Sequence, residues 1–164
     1  MQPVMQPDFY LLLLLLIANG APIISRQLLG QRWNTAVDCG IKLSDGYPVF
    51  GAAKTFRGII AAALLTTISS SLLGFNWTIG LLIGLFAMIG DLISSFLKRR
   101  MGLSSGSMAM GLDQIPESFL PLLVCMWVID LSIYEVIMIS AAFVILNLLL
   151  SKLLYYFGIR QHPY

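Results

Sequence analysis

One stretch of the chain, Gly90 to Ser118, reads GDLISSFLKRRMGLSSGSMAMGLDQIPES and spaces its polar residues in a pattern that can do chemistry on phosphates. On a helix Asp91, Ser94, Ser95 and Lys98 stand at offsets of three, four and seven, so all four project from one face as a polar strip. The residues before Asp91 are almost all apolar, which places its carboxylate inside a hydrocarbon layer. A charge there costs roughly 2.5–3.5 kcal/mol even on the lenient insertion scale, so it requires a polar cavity and a cationic partner. Lys98, Arg99 and Arg100 supply cations at the water-facing end of the strip. Further on, Asp113 and Glu117 flank the start of the next apolar run, with Pro116 tolerated in the first helical turn. Two or three carboxylates sharing an ion with phosphate oxygens is the ligand set that Mg²⁺ prefers, and Asp91, Asp113 and Glu117 are the candidates for it. The competing reading makes Asp113 an N-cap worth about 1 kcal/mol and Glu117 a first-turn acid favoured by the helix dipole.

A second basic group precedes another apolar run, in Phe50-Gly51-Ala52-Ala53-Lys54-Thr55-Phe56-Arg57-Gly58. Lys54, Thr55 and Arg57 fall near that helix's N-terminus, where backbone N–H groups, a point charge and a bidentate guanidinium can hold a phosphate. Alternatively both basic side chains snorkel to anionic headgroups. Gly102, Ser104, Ser105, Gly106 and Ser107 form a small, hydroxyl-rich loop able to close around a polar ligand.

The elements that must position these groups follow from composition. The chain has 164 residues, is 58% hydrophobic and only 11% charged, and its mean hydropathy is +0.86. Long unbroken apolar runs make it an all-α integral membrane protein rather than a barrel of alternating strands. We expect one domain over residues 1–164, a bundle of five transmembrane helices at about 9–29, 57–75, 77–97, 115–129 and 134–157. Arg26, Arg32, Lys42, Lys54 and Arg57 cluster in or beside the first connection, Lys98 to Arg100 open the third, and Lys152 and Arg160 lie at the end. The other turns carry no Lys or Arg, so the positive-inside rule places the N-terminus outside, the C-terminus in the cytoplasm and both long connections on the cytoplasmic side. The leucine run at Leu11 to Leu16 lacks the positive flank of a secretory signal. Gly20 and Pro22 predict a break in the first helix, with Asn19 and freed carbonyls lining a cavity or simply marking a kink.

Other chemistries are poorly served. His162 is the single histidine, which leaves no zinc pattern, and Cys39 and Cys125 are expected in a cytoplasmic loop and a span, not in a disulfide. No phosphate-binding P-loop, nucleophile elbow or dinucleotide turn occurs. Gly80 and Gly84 form a small-xxx-small pair that predicts close helix packing. Nothing points to nucleic acid or to an obligate protein partner.

Taken together, ANGAPI, the VDCG turn, SDGYPVFGAAKTFRG, GDLISSFLKRRMGL and GLDQIPES resemble the CDP-archaeol synthase family, membrane cytidylyltransferases related to CDP-diacylglycerol synthases. The last two blocks at this spacing carry most of the likeness. The resemblance implies a five-helix membrane enzyme of the cell membrane that transfers cytidylyl from CTP to a lipid phosphate, 2,3-bis-O-geranylgeranylglycerol 1-phosphate, with Mg²⁺, on the cytoplasmic side. It implies Asp91, Lys98 and Asp113 as catalytic residues, Asp91 and Asp113 with Glu117 as metal ligands, and Lys54, Thr55, Arg57, Ser94, Ser95, Arg99 and Arg100 as groups for the phosphates. Two positions depart from the family pattern: Ala52 and Pro116 stand where an acidic residue is usual. Other readings are the same transfer to a diacyl lipid phosphate, a lipid-phosphate binder without turnover, or a transporter. The last is disfavoured because the second, fourth and fifth spans carry almost no ionisable residues, leaving no polar path across the layer.

Overall fold

A computed structural model describes residues 7–107 and 109–156. Arg160, His162 and the predicted end of the fifth span at Phe157 lie outside the described residues. Among the described residues five helices follow one another, α1 (Pro7–Leu29), α2 (Phe56–Leu72), α3 (Trp77–Arg100), α4 (Gln114–Cys125) and α5 (Ile133–Tyr156). Among the described residues no strand forms, only isolated bridges joining Ala36 to Thr55 and Lys42 to Pro48.

Among the described residues three helices are long and apolar enough to cross a membrane, over Asp8–Leu29, Trp77–Arg100 and Ile133–Leu153. The other two are apolar but shorter. α4 has 12 residues, so at 1.5 Å per residue it extends only about 18 Å against a hydrocarbon core of about 30 Å. It ends four residues before the expected 129, in a turn in which Val128 and Ile129 both donate to the Cys125 carbonyl. α2 stops at Leu72, where the Leu73 and Phe75 amides bond back to Ser69 and Ser70 and Asn76 caps α3 by accepting from the Thr78 amide at 3.0 Å.

The break predicted at Gly20 and Pro22 does not occur, and α1 runs through both residues. Pro22 removes one backbone donor, yet the chain on either side remains helical, and two nearby side chains add local bonds to it. The Asn19 amide donates to the Leu15 carbonyl at 3.2 Å and the Ser25 hydroxyl to the Pro22 carbonyl at 2.9 Å. In an apolar layer every backbone group must be satisfied internally, which favours continuing the helix over opening it.

α3 is the central element, packed on α1, α2 and α4, while α1 and α4 also contact α5. Leu11, Leu14, Leu15, Ile83, Leu122, Val136 and Phe143 are fully buried where these helices meet. The close packing expected from Gly80 and Gly84 is present: a side-chain carbon at either would run into Thr66 of α2, by its carbonyl or its hydroxyl. The exposed surface is largely apolar along α2 and α5, as in Ile60, Leu64, Ile68, Ile137, Ile145 and Leu149.

Candidate active site

Asp91 lies just past the midpoint of α3 and faces the end of the bundle where α2 and α4 begin. Its partner comes from the connection before α2. Lys54 Nζ donates to both carboxylate oxygens, at 2.5 and 2.6 Å. The backbone fixes that reach: Val37 N–H donates to the Lys54 carbonyl at 2.8 Å, Phe56 N–H to the Thr35 carbonyl at 3.2 Å, and the Thr55 hydroxyl caps α2 by accepting from the Gly58 amide at 3.2 Å. Burial opposes the charge on Lys54. The Asp91 carboxylate and then Glu117 outweigh that effect and hold the ammonium above the ordinary lysine range.

One helical turn beyond Ser94, Lys98 pairs with Asp113 Oδ1 at 2.6 Å and donates to the Ser107 carbonyl at 2.7 Å. Asp113 stands at the N-cap position of α4 but its side chain does not cap the helix. It has a helical backbone and makes no forward capping bond; instead its other oxygen turns back to accept from the Ala109 amide at 2.9 Å. Its charge goes to Lys98 and the connecting loop. Glu117, 7% exposed, places its carboxyl against that of Asp91. Asp91 of α3, Glu117 of α4 and Asp113 just before α4 therefore lie at one end of the bundle, with Lys54 feeling all three.

The predicted phosphate ligands separate into two groups. Arg99 belongs with the carboxylates: it is 2% exposed, is attracted to Asp113, and leaves Nε and Nη1 without an acceptor. The Ser95 hydroxyl is likewise buried and unpartnered, whereas Ser94 donates to the Asp91 carbonyl at 2.9 Å. Arg57 and Arg100 are committed elsewhere. Arg57 Nη1 donates to the carbonyls of Gly30 and Arg32, at 2.9 and 2.6 Å, and Nη2 to Asn34 Oδ1 at 3.3 Å. Arg100 pairs with Asp45 at 2.6 Å, donates to the Pro48 carbonyl at 2.7 Å and stacks on Phe96. Both clamp the first connection onto the helices, because their forks meet carbonyls that have no helical donor.

A residue not singled out as functional, Asp38, holds the roof. Its carboxylate accepts from the amides of Gly40 at 3.0 Å, Phe50 at 3.0 Å and Gly51 at 2.7 Å. Burial pushes its pKa up, but these donors together outweigh burial and bring the group below the usual carboxylate range. Gly51, at φ +95°, sits so near Ser105 that a side chain would collide with it, and the Ser105 hydroxyl accepts from the Ala53 amide at 3.3 Å. The Asp-x-Gly turn is visible in the sequence; its reach to residues twelve and thirteen positions on is not.

Beside the Lys54–Asp91 pair lies a cavity of about 60 Å³ lined by Pro22, Thr55, Gly58, Ile59, Met88 and Leu92 among others. It is mostly apolar and joins α1, α2 and α3 at the depth of Asp91. Among the described residues no three carboxylate, histidine or cysteine side chains converge closely enough to hold a metal ion as they stand. The donor set nevertheless fits Mg²⁺, which takes one or two carboxylates and completes its shell with water and phosphate oxygens. Asp91 and Glu117 are in contact, and Asp113 is near.

Residues 66–164 match the family model described as CarS-like, CDP-archaeol synthase. A CDP-archaeol synthase of Sulfolobus acidocaldarius is 33% identical over 156 residues, covering 91% of each chain, and one of Sulfurisphaera tokodaii is 32% identical over 158 residues, covering 91% of this chain and 90% of that one. A CDP-archaeol synthase of Saccharolobus islandicus is 43% identical over 105 residues, and there the chain spans 59% of the relative's length. A solved structure of an intramembrane enzyme for archaeal membrane lipids biosynthesis superposes with a TM-score of 0.69 at 28% identity, over 85% of this chain and 89% of that one. With its carboxylate and lysine pairs gathered at the end of an apolar bundle, the chain belongs to the CDP-archaeol synthase family.

Proposed function

We propose that this chain transfers cytidylyl from CTP to a lipid phosphate, with 2,3-bis-O-geranylgeranylglycerol 1-phosphate as acceptor, in a bilayer that its apolar helices span. The observation that carries the reading is the meeting of Asp91, Glu117 and Asp113 with Lys54, Lys98 and Arg99 beside an apolar cavity. Carboxylates at this depth are costly and persist where they serve a ligand. The positive-inside rule puts the N-terminus outside and this end of the bundle at the cytoplasmic surface of the cell membrane, where CTP is found.

A phosphate monoester dianion is already a nucleophile once its repulsion from the triphosphate is screened, so positioning and electrostatics account for catalysis. An oxygen of the lipid phosphate attacks the α-phosphorus of CTP in line. The new P–O bond forms as the bond to the bridging oxygen of the β-phosphate breaks, and pyrophosphate leaves with that electron pair. Mg²⁺ held by Asp91, with Glu117 or Asp113 as its second carboxylate, would neutralise triphosphate charge. Arg99, with two unused donors, and Lys98 receive phosphate oxygens, and Ser95 donates to another. Lys54 holds phosphate oxygens at the mouth of the apolar cavity, between α1, α2 and α3. Arg57 and Arg100 position the loop that carries Lys54 and do not touch substrate.

Pyrophosphate release by purified protein in detergent tests this, with CTP, Mg²⁺ and either the unsaturated diether phosphate or a diacyl phosphate. Release that needs the metal and favours the diether acceptor is expected. Equal release with the diacyl acceptor would remove the archaeal substrate assignment, and none with either would remove the transferase reading.

A further inference from the structure

The carboxylates of the site are not bare. Both oxygens of Asp91 are occupied by Lys54, at 2.5 and 2.6 Å, and Asp113 is occupied by Lys98 at 2.6 Å. Asp91, Glu117 and Asp113 face Lys54, Lys98 and Arg99, so the cluster is close to neutral without any ion. A divalent cation added alone would have to expel Lys54 and leave an unpaired ammonium where desolvation makes it expensive. The anion side of the cluster is different. Arg99 is 2% exposed and keeps Nε and Nη1 without an acceptor, and the Ser95 hydroxyl on the face of Asp91 is buried and unpartnered too. Unused buried donors of that kind fit an incoming phosphate, not a cation.

We propose that Lys54 is a resident counter-cation that occupies the divalent-metal position in the nucleotide-free protein and gives it up only when phosphate oxygens draw its ammonium away. Metal and nucleotide then bind as a coupled pair. The triphosphate satisfies Arg99 and Ser95 and offers Lys54 a new anion, which frees both Asp91 oxygens beside Glu117. The free protein does not sequester divalent ions in its apolar interior, and its carboxylates stay compensated between turnovers. This rests on the transferase reading for the identity of the phosphate, but not for the exchange of one cation for another.

The test uses Mn²⁺ alone as probe. Its free signal is followed by electron paramagnetic resonance over detergent-solubilised protein without nucleotide. The unmodified protein is expected to bind weakly. Lys54→Gln and Lys54→Met are each expected to bind at least about tenfold more tightly, because the carboxylates lose their competitor, and adding Asp91→Asn to Lys54→Gln is expected to abolish the gain. Variants no tighter than the unmodified protein would overturn the proposal. So would micromolar Mn²⁺ binding by the unmodified protein itself, which decides the matter even if neither variant folds. Pyrophosphate release measured in parallel on the unmodified protein separates the two readings: turnover without the Mn²⁺ gain removes the counter-cation, and the gain without turnover removes the transferase.

Discussion

Gly90 of α3 lies so close to the Pro116 carbonyl of α4 that a side-chain carbon at residue 90 would overlap that carbonyl and the Glu117 amide. This backbone contact brings the Asp91 and Glu117 carboxyls together, each being the next residue along its helix. Gly90→Ala must therefore push the two helices apart at the site, at a cost of about 1–3 kcal/mol. Gly84→Ala clashes with Thr66 and Ala63 on α2 in the same way, two turns from Asp91. Both variants are expected to melt at lower temperature, while kcat, measured where both remain folded, falls only for Gly90→Ala.

The three carboxylates predict a graded set of losses. Asp91→Asn and Asp113→Asn leave Lys54 and Lys98 without anions and remove two of the donors assigned to the metal, so turnover should fall at least about a hundredfold while the protein still inserts. Glu117→Gln should also lose activity, because its carboxyl meets Asp91 and is not an exposed first-turn acid. Removal of metal with EDTA should bring the unmodified protein to the level of Asp91→Asn. Full activity in Glu117→Gln would return that residue to a purely helical role.

Much of this site is legible in the sequence because it is local. The offsets from Asp91 to Lys98 and the neighbourhood of Asp113 and Glu117 are set by helical periodicity, and the structure retains both. Pairing across elements was less accessible. Nothing in the spacing says that Lys54 would reach Asp91 thirty-seven residues away, or that Arg57 would spend its fork on carbonyls of Gly30 and Arg32. Arg57 and Arg100 look like phosphate ligands until the open carbonyls of the first connection are known. The α1 break failed for a related reason: proline's cost to a helix in water overstates its effect where an apolar surrounding offers the chain no better partner.

Arg57 supplies a test of that distinction. Arg57→Gln withdraws donors from two carbonyls and from Asn34 around a buried guanidinium and should lower stability by about 2–4 kcal/mol. Its KM for CTP should stay near that of the unmodified protein in the fraction that folds. A large rise in KM with an unchanged thermal midpoint would make it a phosphate ligand.

Asp38 predicts a pH dependence with a definite sign. Its folded value lies below the ordinary 3.8, so its contribution is present above the ordinary value and disappears as pH falls through the lower folded one. Thermal midpoints of the unmodified protein and Asp38→Asn should differ at neutral pH and converge as pH falls below the ordinary carboxylate value. A difference that persists unchanged into acid would show that the amides of Gly40, Phe50 and Gly51 do not depend on the carboxylate's charge.

Arg99 gives the most discriminating outcome, because stability and function should move in opposite directions. Its guanidinium is buried with two donors unused, so in the ligand-free protein it costs more than it returns. Arg99→Met keeps the stem's packing and removes the unsatisfied charge, and its thermal midpoint without nucleotide should equal or exceed that of the unmodified protein. The same change should raise KM for CTP by at least about tenfold, corresponding to one charged hydrogen bond of roughly 1.5–3 kcal/mol. Added CTP should then stabilise the unmodified protein against heat and leave Arg99→Met nearly unshifted, since ligand stabilisation follows occupancy. A variant that melts early and binds CTP normally would make Arg99 a packing residue held by Asp113, and the anion site would have to be sought at Lys98 alone.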